Sequence, residues 1–181
     1  MKFRSFIFFT LLNFNILFSQ YVELSRLGVL DFEPRGVPIS LTQRFTEAVR
    51  NELENTNLIR VIDRGSLLST LEERGYKRSN CITDYCEALI GRLLEVNFIL
   101  SGSIAYEDSI YTIDMNMVSV KTGAIDKTVT IRVFGDYQNL LDEAEPAAWN
   151  IFNLKSPQQI AIAKERERIA CLLYTSDAAD E

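Results

Sequence analysis

Two aspartates, Asp31 and Asp63, sit near the ends of the apolar runs LGVLDF and LIRVID, with Glu33 two residues beyond the first and Arg64 directly after the second. If the runs are adjacent parallel strands, these carboxylates meet at the strand C-terminal edge, where α/β folds bind ligands. Asp31, Glu33, Asp63 and Arg64 are therefore a candidate ligand edge, suited to a divalent cation, a nucleotide or another small molecule. The same residues have a structural use: Asp31 and Asp63 accept hydrogen bonds from the turns that follow, and Asp63 pairs with Arg64.

Nucleophilic catalysis finds little support. Serines abound, but the chain has no histidine to act as base and no Ser-x-x-Lys. Ser101-Gly102-Ser103 lies inside an apolar run, where a phosphate loop needs several glycines between a strand and a helix. Gly102 is better explained by close packing. No enzymatic activity, metal or cofactor is expected; a hydrolase is the least favoured alternative.

Cys81 and Cys86 frame the segment CITDYC. Two thiolates without histidine fall short of a structural zinc site. In an exported protein they suit a disulfide closing a short loop, worth about 2 kcal/mol on the loop-entropy model. Two free buried thiols are the alternative.

The elements that place these residues follow from periodicity. Leu27–Phe32, Leu58–Asp63 and Asn97–Tyr106 read as strands. Between the first two, a helix starts at a Ser40-x-x-Gln43 capping box and runs to about Asn55, with Leu41, Phe45, Ala48, Val49 and Leu53 inward. After the second comes GSLLSTLEERG, a short helix with Leu67, Leu68 and Leu71 inward. Asp84 then caps the helix that organises the chain, whose stripe is Cys86, Leu89, Ile90, Leu93 and Leu94. It feeds directly into a strand with apolar or small residues on both faces, as a central strand requires.

Beyond Tyr106 the connections shorten to turns at 107–109 and 121–123, the mark of an antiparallel meander. Thr112, Asp114 and Asn116 alternate with apolar residues, as do Thr128, Thr130 and Arg132; the apolar phase slips near Val118–Val120, where a bulge is expected. The six polar residues form one wet face, either simply solvated or a partner-docking surface. A last helix over Asn139–Asn153 is interrupted by Pro146, and Ser156-Pro157 opens another. The expected fold is α/β: a mixed sheet of about five strands, the first three parallel through crossover helices, the last three an antiparallel meander, with helices packed on the sheet.

The N-terminal residues 1–20 read as a secretory signal: Lys2 and Arg4 precede an apolar run that ends at Phe18. That run is too short for a membrane span, and no lipid-anchoring cysteine lies near its end. Residues 21–153 form the α/β domain and 154–170 a helical spacer. Residues 171–181, CLLYTSDAADE, look like translated sequencing adapter, so the natural chain is expected to continue past Ala170. A net charge of −6 without a basic cluster argues against nucleic acid as a partner.

The stretches LGVLDFEP, LIRVIDRGSLLSTLEERG, CITDYCEALIGRLLEVNFILSGSIAYED and YTIDMNMVSVKTGAI, together spanning Leu27 to Val133, resemble the curli-secretion CsgG family. Its relatives include activator lipoproteins of penicillin-binding proteins and the amino-terminal domain of TolB. The resemblance implies an exported, non-enzymatic module, periplasmic or at the inner face of the outer membrane. It would act as scaffold or adaptor through contacts with envelope proteins, a second copy of itself among them. The family's barrel does not carry over, because lipid would penalise the Thr, Asp, Asn and Arg of the meander's outer face.

Overall fold

The computed structural model describes residues 24–75 and 83–177, with side-chain surroundings up to residue 170. The signal segment and Cys81 lie outside the described residues. Three parallel-type strands come first: β1 (Arg26–Val29), β2 (Glu33–Arg35) and β3 (Arg60–Val61). Three ten-residue strands follow, β4 (Phe98–Glu107), β5 (Ile110–Ser119) and β6 (Ile125–Phe134). They form one six-stranded sheet in the order β3-β1-β4-β5-β6, with β2 paired to β4 beyond the end of β1. Pairings β1–β3, β1–β4 and β2–β4 are parallel, and β4–β5–β6 is an antiparallel meander.

The mixed α/β sheet matches the sequence reading, and its sixth strand is the difference. The extra strand, Glu33–Arg35, follows the expected end of the first strand at Phe32 and carries a proline. Pro34 is tolerated in so short a piece, since a proline at a strand edge forfeits no ladder bond there. The expected bulge is present as a register shift between Met117 and Val118. The β4–β5 turn has only two central residues, Asp108 and Ser109, both at positive φ (51° and 64°), the type I′ arrangement that suits the twist of a hairpin.

Helices cover the two faces unequally. On one face, α1 (Ile39–Asn55), α4 (Tyr137–Asp142) and α5 (Ala144–Asn150) pack over the full sheet. Phe45, Val49, Leu53, Leu140, Ala147 and Ile151 meet Leu100, Ile104, Ile113 and Met115 there, all at most 1% exposed. On the other, α2 (Arg64–Glu73) and α3 (Asp84–Leu93) cover a smaller core of Leu30, Leu67, Leu71, Ile90, Leu94, Ile99 and Val120. Among the described residues no helix covers that face beyond Ile99, and this asymmetry creates the candidate site.

Several local expectations shift. α1 begins at Ile39 with Pro38 as its cap residue and no side-chain cap bond, so Ser40 is already inside the helix. The proline holds an extended backbone (ψ 139°), and its carbonyl receives Leu41 and Thr42, which displaces the Ser40–Gln43 box by two residues. Thr83, not Asp84, caps α3 by accepting from Cys86 N–H. Leu68 is exposed, and the fully buried residues of α3 are Ala88, Ile90 and Gly91, while Leu89 and Leu93 are half-buried. The helix turns its smallest residues to the sheet: a Cβ on Gly91 would overlap the Val120 side chain.

The C-terminal helix breaks at Glu143, between α4 and α5, rather than at Pro146. Pro146 has no N–H to give the carbonyl four residues back, that of Asp142, so the ladder fails there and the proline sits in the next helix's first turn. At α6 (Pro157–Asp177) the serine cap forms as expected, with Ser156 and Gln159 exchanging backbone and side-chain bonds at 3.0 and 3.2 Å. The helix runs on past Ala170, where its end was expected; nothing in CLLYTS breaks a helix as glycine or proline would. Among the described residues no helix is long and apolar enough to cross a membrane.

A polar groove on the open sheet face

Side chains on the uncovered face stand in rows across the strands, because paired residues in a sheet share a face. The first row is Ser101, Asn116 and Thr128. The second is Glu33, Ser103, Asp114 and Thr130, and the third is Arg35, Ala105, Thr112 and Arg132. All six residues expected to form a wet face are therefore neighbours, and Glu33 from the candidate ligand edge joins them through β2. Burial falls from β4 outward to β6: Ser101 and Ser103 are buried, Thr112, Asp114 and Asn116 half-buried, and Thr128, Thr130 and Arg132 exposed, while Glu33 and Arg35 on β2 are exposed as well.

Hydrogen bonds across strands hold two rows in place. Thr130 Oγ1 donates to Asp114 Oδ1 at 2.7 Å, and Thr128 Oγ1 to Asn116 Oδ1 at 2.9 Å. A groove of about 810 Å³ lies over this floor. The segment from Leu30 to Arg35 forms one wall, and the first turn of α3, with Asp84 and Glu87, contributes the other. Four of its charged residues, Glu33, Asp84, Glu87 and Asp114, are acidic, and Arg35 is basic. Gly102 is where the floor meets the core behind it: a Cβ there would stand 2.5 Å from the Asp114 carbonyl oxygen and 3.0 Å from the Phe32 ring.

The remaining residues of the ligand edge are taken up locally. Arg64 donates to both oxygens of Asp31, at 3.1 and 2.7 Å, and this bond raises the pKa of the guanidinium further. Asp63 caps α2 by accepting from Ser66 N–H at 2.9 Å, which lowers its pKa below the usual carboxylate range. Arg64 thus pairs with Asp31 across the strands and not with its neighbour Asp63. Glu33 faces Arg35 at 3.3 Å, both well exposed. Among the described residues no three cysteine or acidic side chains are grouped to hold a metal ion.

Cys86 is half-buried and disulfide-bonded; with Cys81 outside the described residues, the pairing of these two remains a proposal. Sequence reasoning missed Arg50, 4% exposed on the inner face of α1. Its guanidinium donates to the Val29 carbonyl at 2.9 Å and the Ile62 carbonyl at 3.4 Å, tying the ends of β1 and β3 to the helix. The one available signal was its place three residues after Glu47, inside the apolar stripe. It also placed Ser101 and Ser103 on the face of the central strand opposite Leu100, Gly102 and Ile104, but did not join them to the wet face of the meander.

No curated protein matches this chain in sequence. Residues 41–126 match the family model described as the peptidoglycan-synthase activator LpoB. That description names a protein that acts on an enzyme, whereas the sequence resemblance had pointed first to curli secretion. Among solved structures, the LpoB C-terminal domain from Escherichia coli is 21% identical, with a TM-score of 0.52 over 61% of this chain and 83% of that one. Its counterpart from Salmonella enterica is 20% identical at 0.51, with the same coverage. Lipoprotein GNA1162 from Neisseria meningitidis is 8% identical at 0.54, covering 81% of this chain and 96% of that one. At these identities the structures share a fold with the chain, and its similarity in sequence is to the peptidoglycan-synthase activator LpoB over residues 41–126.

Proposed function

We propose that this chain is an exported, non-enzymatic envelope protein that activates a peptidoglycan synthase by docking on it. The observation that carries the reading is the match of residues 41–126 to the activator family. The matched segment holds most of α1, the α3–β4 hub and the floor residues Ser101, Ser103, Asp114 and Asn116. The signal-like residues 1–20 support export and, with it, action in the periplasm. The polar open face suits such a role, because a hydrogen-bonding, wet interface forms with a partner without leaving a large apolar patch exposed beforehand.

The test is enzymatic on the partner's side. The purified full chain is titrated into each penicillin-binding-protein-class synthase of the same organism, and glycan polymerisation from the lipid-linked precursor is followed. A saturable rise in rate with at least one synthase is expected, and Asn116→Lys together with Thr128→Lys should raise the half-saturating concentration at least tenfold. Unchanged rates and no measurable binding with every synthase would sink the proposal.

A further inference from the structure

The groove has chemistry more specific than a generic wet surface. Ser101 and Ser103 line its floor yet are 8% and 6% exposed, and neither hydroxyl has a hydrogen-bond partner among the described residues. Neither oxygen is sealed from solvent, so water bonds both hydroxyls in the free protein and a visiting donor can replace it. Beside them Asp114 spends Oδ1 on Thr130 and keeps Oδ2 for another donor. The walls add Glu33 and Asp84, and Arg35 is the one cation among the described lining residues.

We propose that this groove docks an arginine- or lysine-bearing segment of the partner protein, with a cationic head seated over Ser103 and Asp114. The nature of the occupant as a protein rests on the docking role above. Charge decides its sign: Glu33, Asp84 and Asp114 outnumber Arg35 among the described lining residues and disfavour an anion, and a bond from a cation to a carboxylate is about twice as strong as a neutral one. A guanidinium brings five donors and no acceptor, which complements carboxylates and hydroxyl lone pairs. A single metal ion fits poorly, since the backbones bearing Glu33 and Asp114 are two strands apart, about 9.6 Å, against ligand distances of about 2.5 Å. The volume, about 810 Å³, holds several residues and not one side chain alone.

The experiment uses the full chain and calorimetric titration with three probes. These are acetyl-Gly-Arg-Gly-Arg-Gly-amide, the same peptide with both arginines replaced by citrulline, and spermidine. The arginine peptide should bind at least tenfold more tightly than the citrulline peptide. Asp114→Asn and Glu33→Gln should each weaken it threefold or more, and Glu54→Gln, an exposed acid on α1, should leave it unchanged. Glu33 is itself exposed, so its variant tests the groove even if Asp114→Asn proves unstable. Equal binding of the citrulline peptide, indifference to both groove variants, or spermidine binding as tightly as the peptide would overturn the proposal. The two readings separate cleanly: activation of a synthase that is unaffected by Asp114→Asn and Glu33→Gln refutes the groove alone. Arginine-peptide binding lost in both variants, with no synthase responding, supports the groove and refutes the activator role.

Discussion

Removing the guanidinium of Arg50 while keeping an apolar stem, as in Arg50→Met, should destabilise the domain by about 3 kcal/mol. Most of that comes from the 2.9 Å bond to the buried Val29 carbonyl, a charge-assisted bond whose loss costs about 1.5–3 kcal/mol and strands the acceptor. The 3.4 Å bond to Ile62 is long and adds less than about 1 kcal/mol, and the pair with half-exposed Glu47 about 0.5 kcal/mol. Packing changes little because methionine replaces the stem. Arg50→Lys keeps the charge but reaches one carbonyl at a time, so about 1–2 kcal/mol is expected. In urea, with a slope of about 2 kcal/mol/M for a domain of this size, Arg50→Met should lower the midpoint by about 1.5 M and Arg50→Lys by about half that. A shift under about 0.3 M for Arg50→Met, or equal shifts for the two variants, would refute the view that Arg50 ties β1 and β3 to α1.

Other positions give independent checks. Gly91→Ala puts a methyl into the Val120 side chain and close to Ile99, so overpacking of about 2 kcal/mol is expected by urea denaturation; a neutral result would mean α3 can lift off the sheet at no cost. If Cys81 and Cys86 are bridged, thiol titration of the denatured, unreduced chain finds one thiol of the three cysteines, and Cys86→Ser lowers stability by about 2 kcal/mol; three thiols before reduction would exclude the bridge. Burial, helped by the neighbouring charge of Asp142, raises the pKa of Glu143. A raised acid favours folding below its unfolded pKa, and that contribution is lost as pH climbs through the raised value. Glu143→Gln should therefore increase Tm by about 1–2 °C at pH 7 relative to its effect at pH 4, and a larger gain at pH 4 would reverse the assignment.

Much of the sheet was legible because strand periodicity is carried by chemistry that repeats every second residue. Thr112, Asp114 and Asn116 could be assigned to one face without knowing what lay beneath them. Helix stripes were legible in the same way, and Phe45, Val49 and Leu53 are all fully buried. Caps were less so. Ser40-x-x-Gln43 and Ser156-x-x-Gln159 carry the same signal, yet only the second forms the box, because Pro38 starts α1 two residues early. Nor does a stripe read from apolar residues show which polar ones share it: Thr46 is buried because its hydroxyl accepts from Phe32 N–H, and Arg50 because it serves two strand ends.

The residue order by itself determined the strands, the helices and the alternation that divides wet from packed surface, since these depend on neighbours within a few positions. It also determined the acidic balance. Only the tertiary structure decided that the helices cover one face fully and the other in part, because coverage depends on where crossovers land and not on any one element. It decided that Glu33 stands in the same row as Ser103 and Asp114, which required β2 to pair with β4 seventy residues away. It likewise sent Arg64 to Asp31 and not to adjacent Asp63, because helix α2 swings the guanidinium over β1 while Asp63 turns to cap the helix. The groove exists through such pairings, between residues that no local pattern connects.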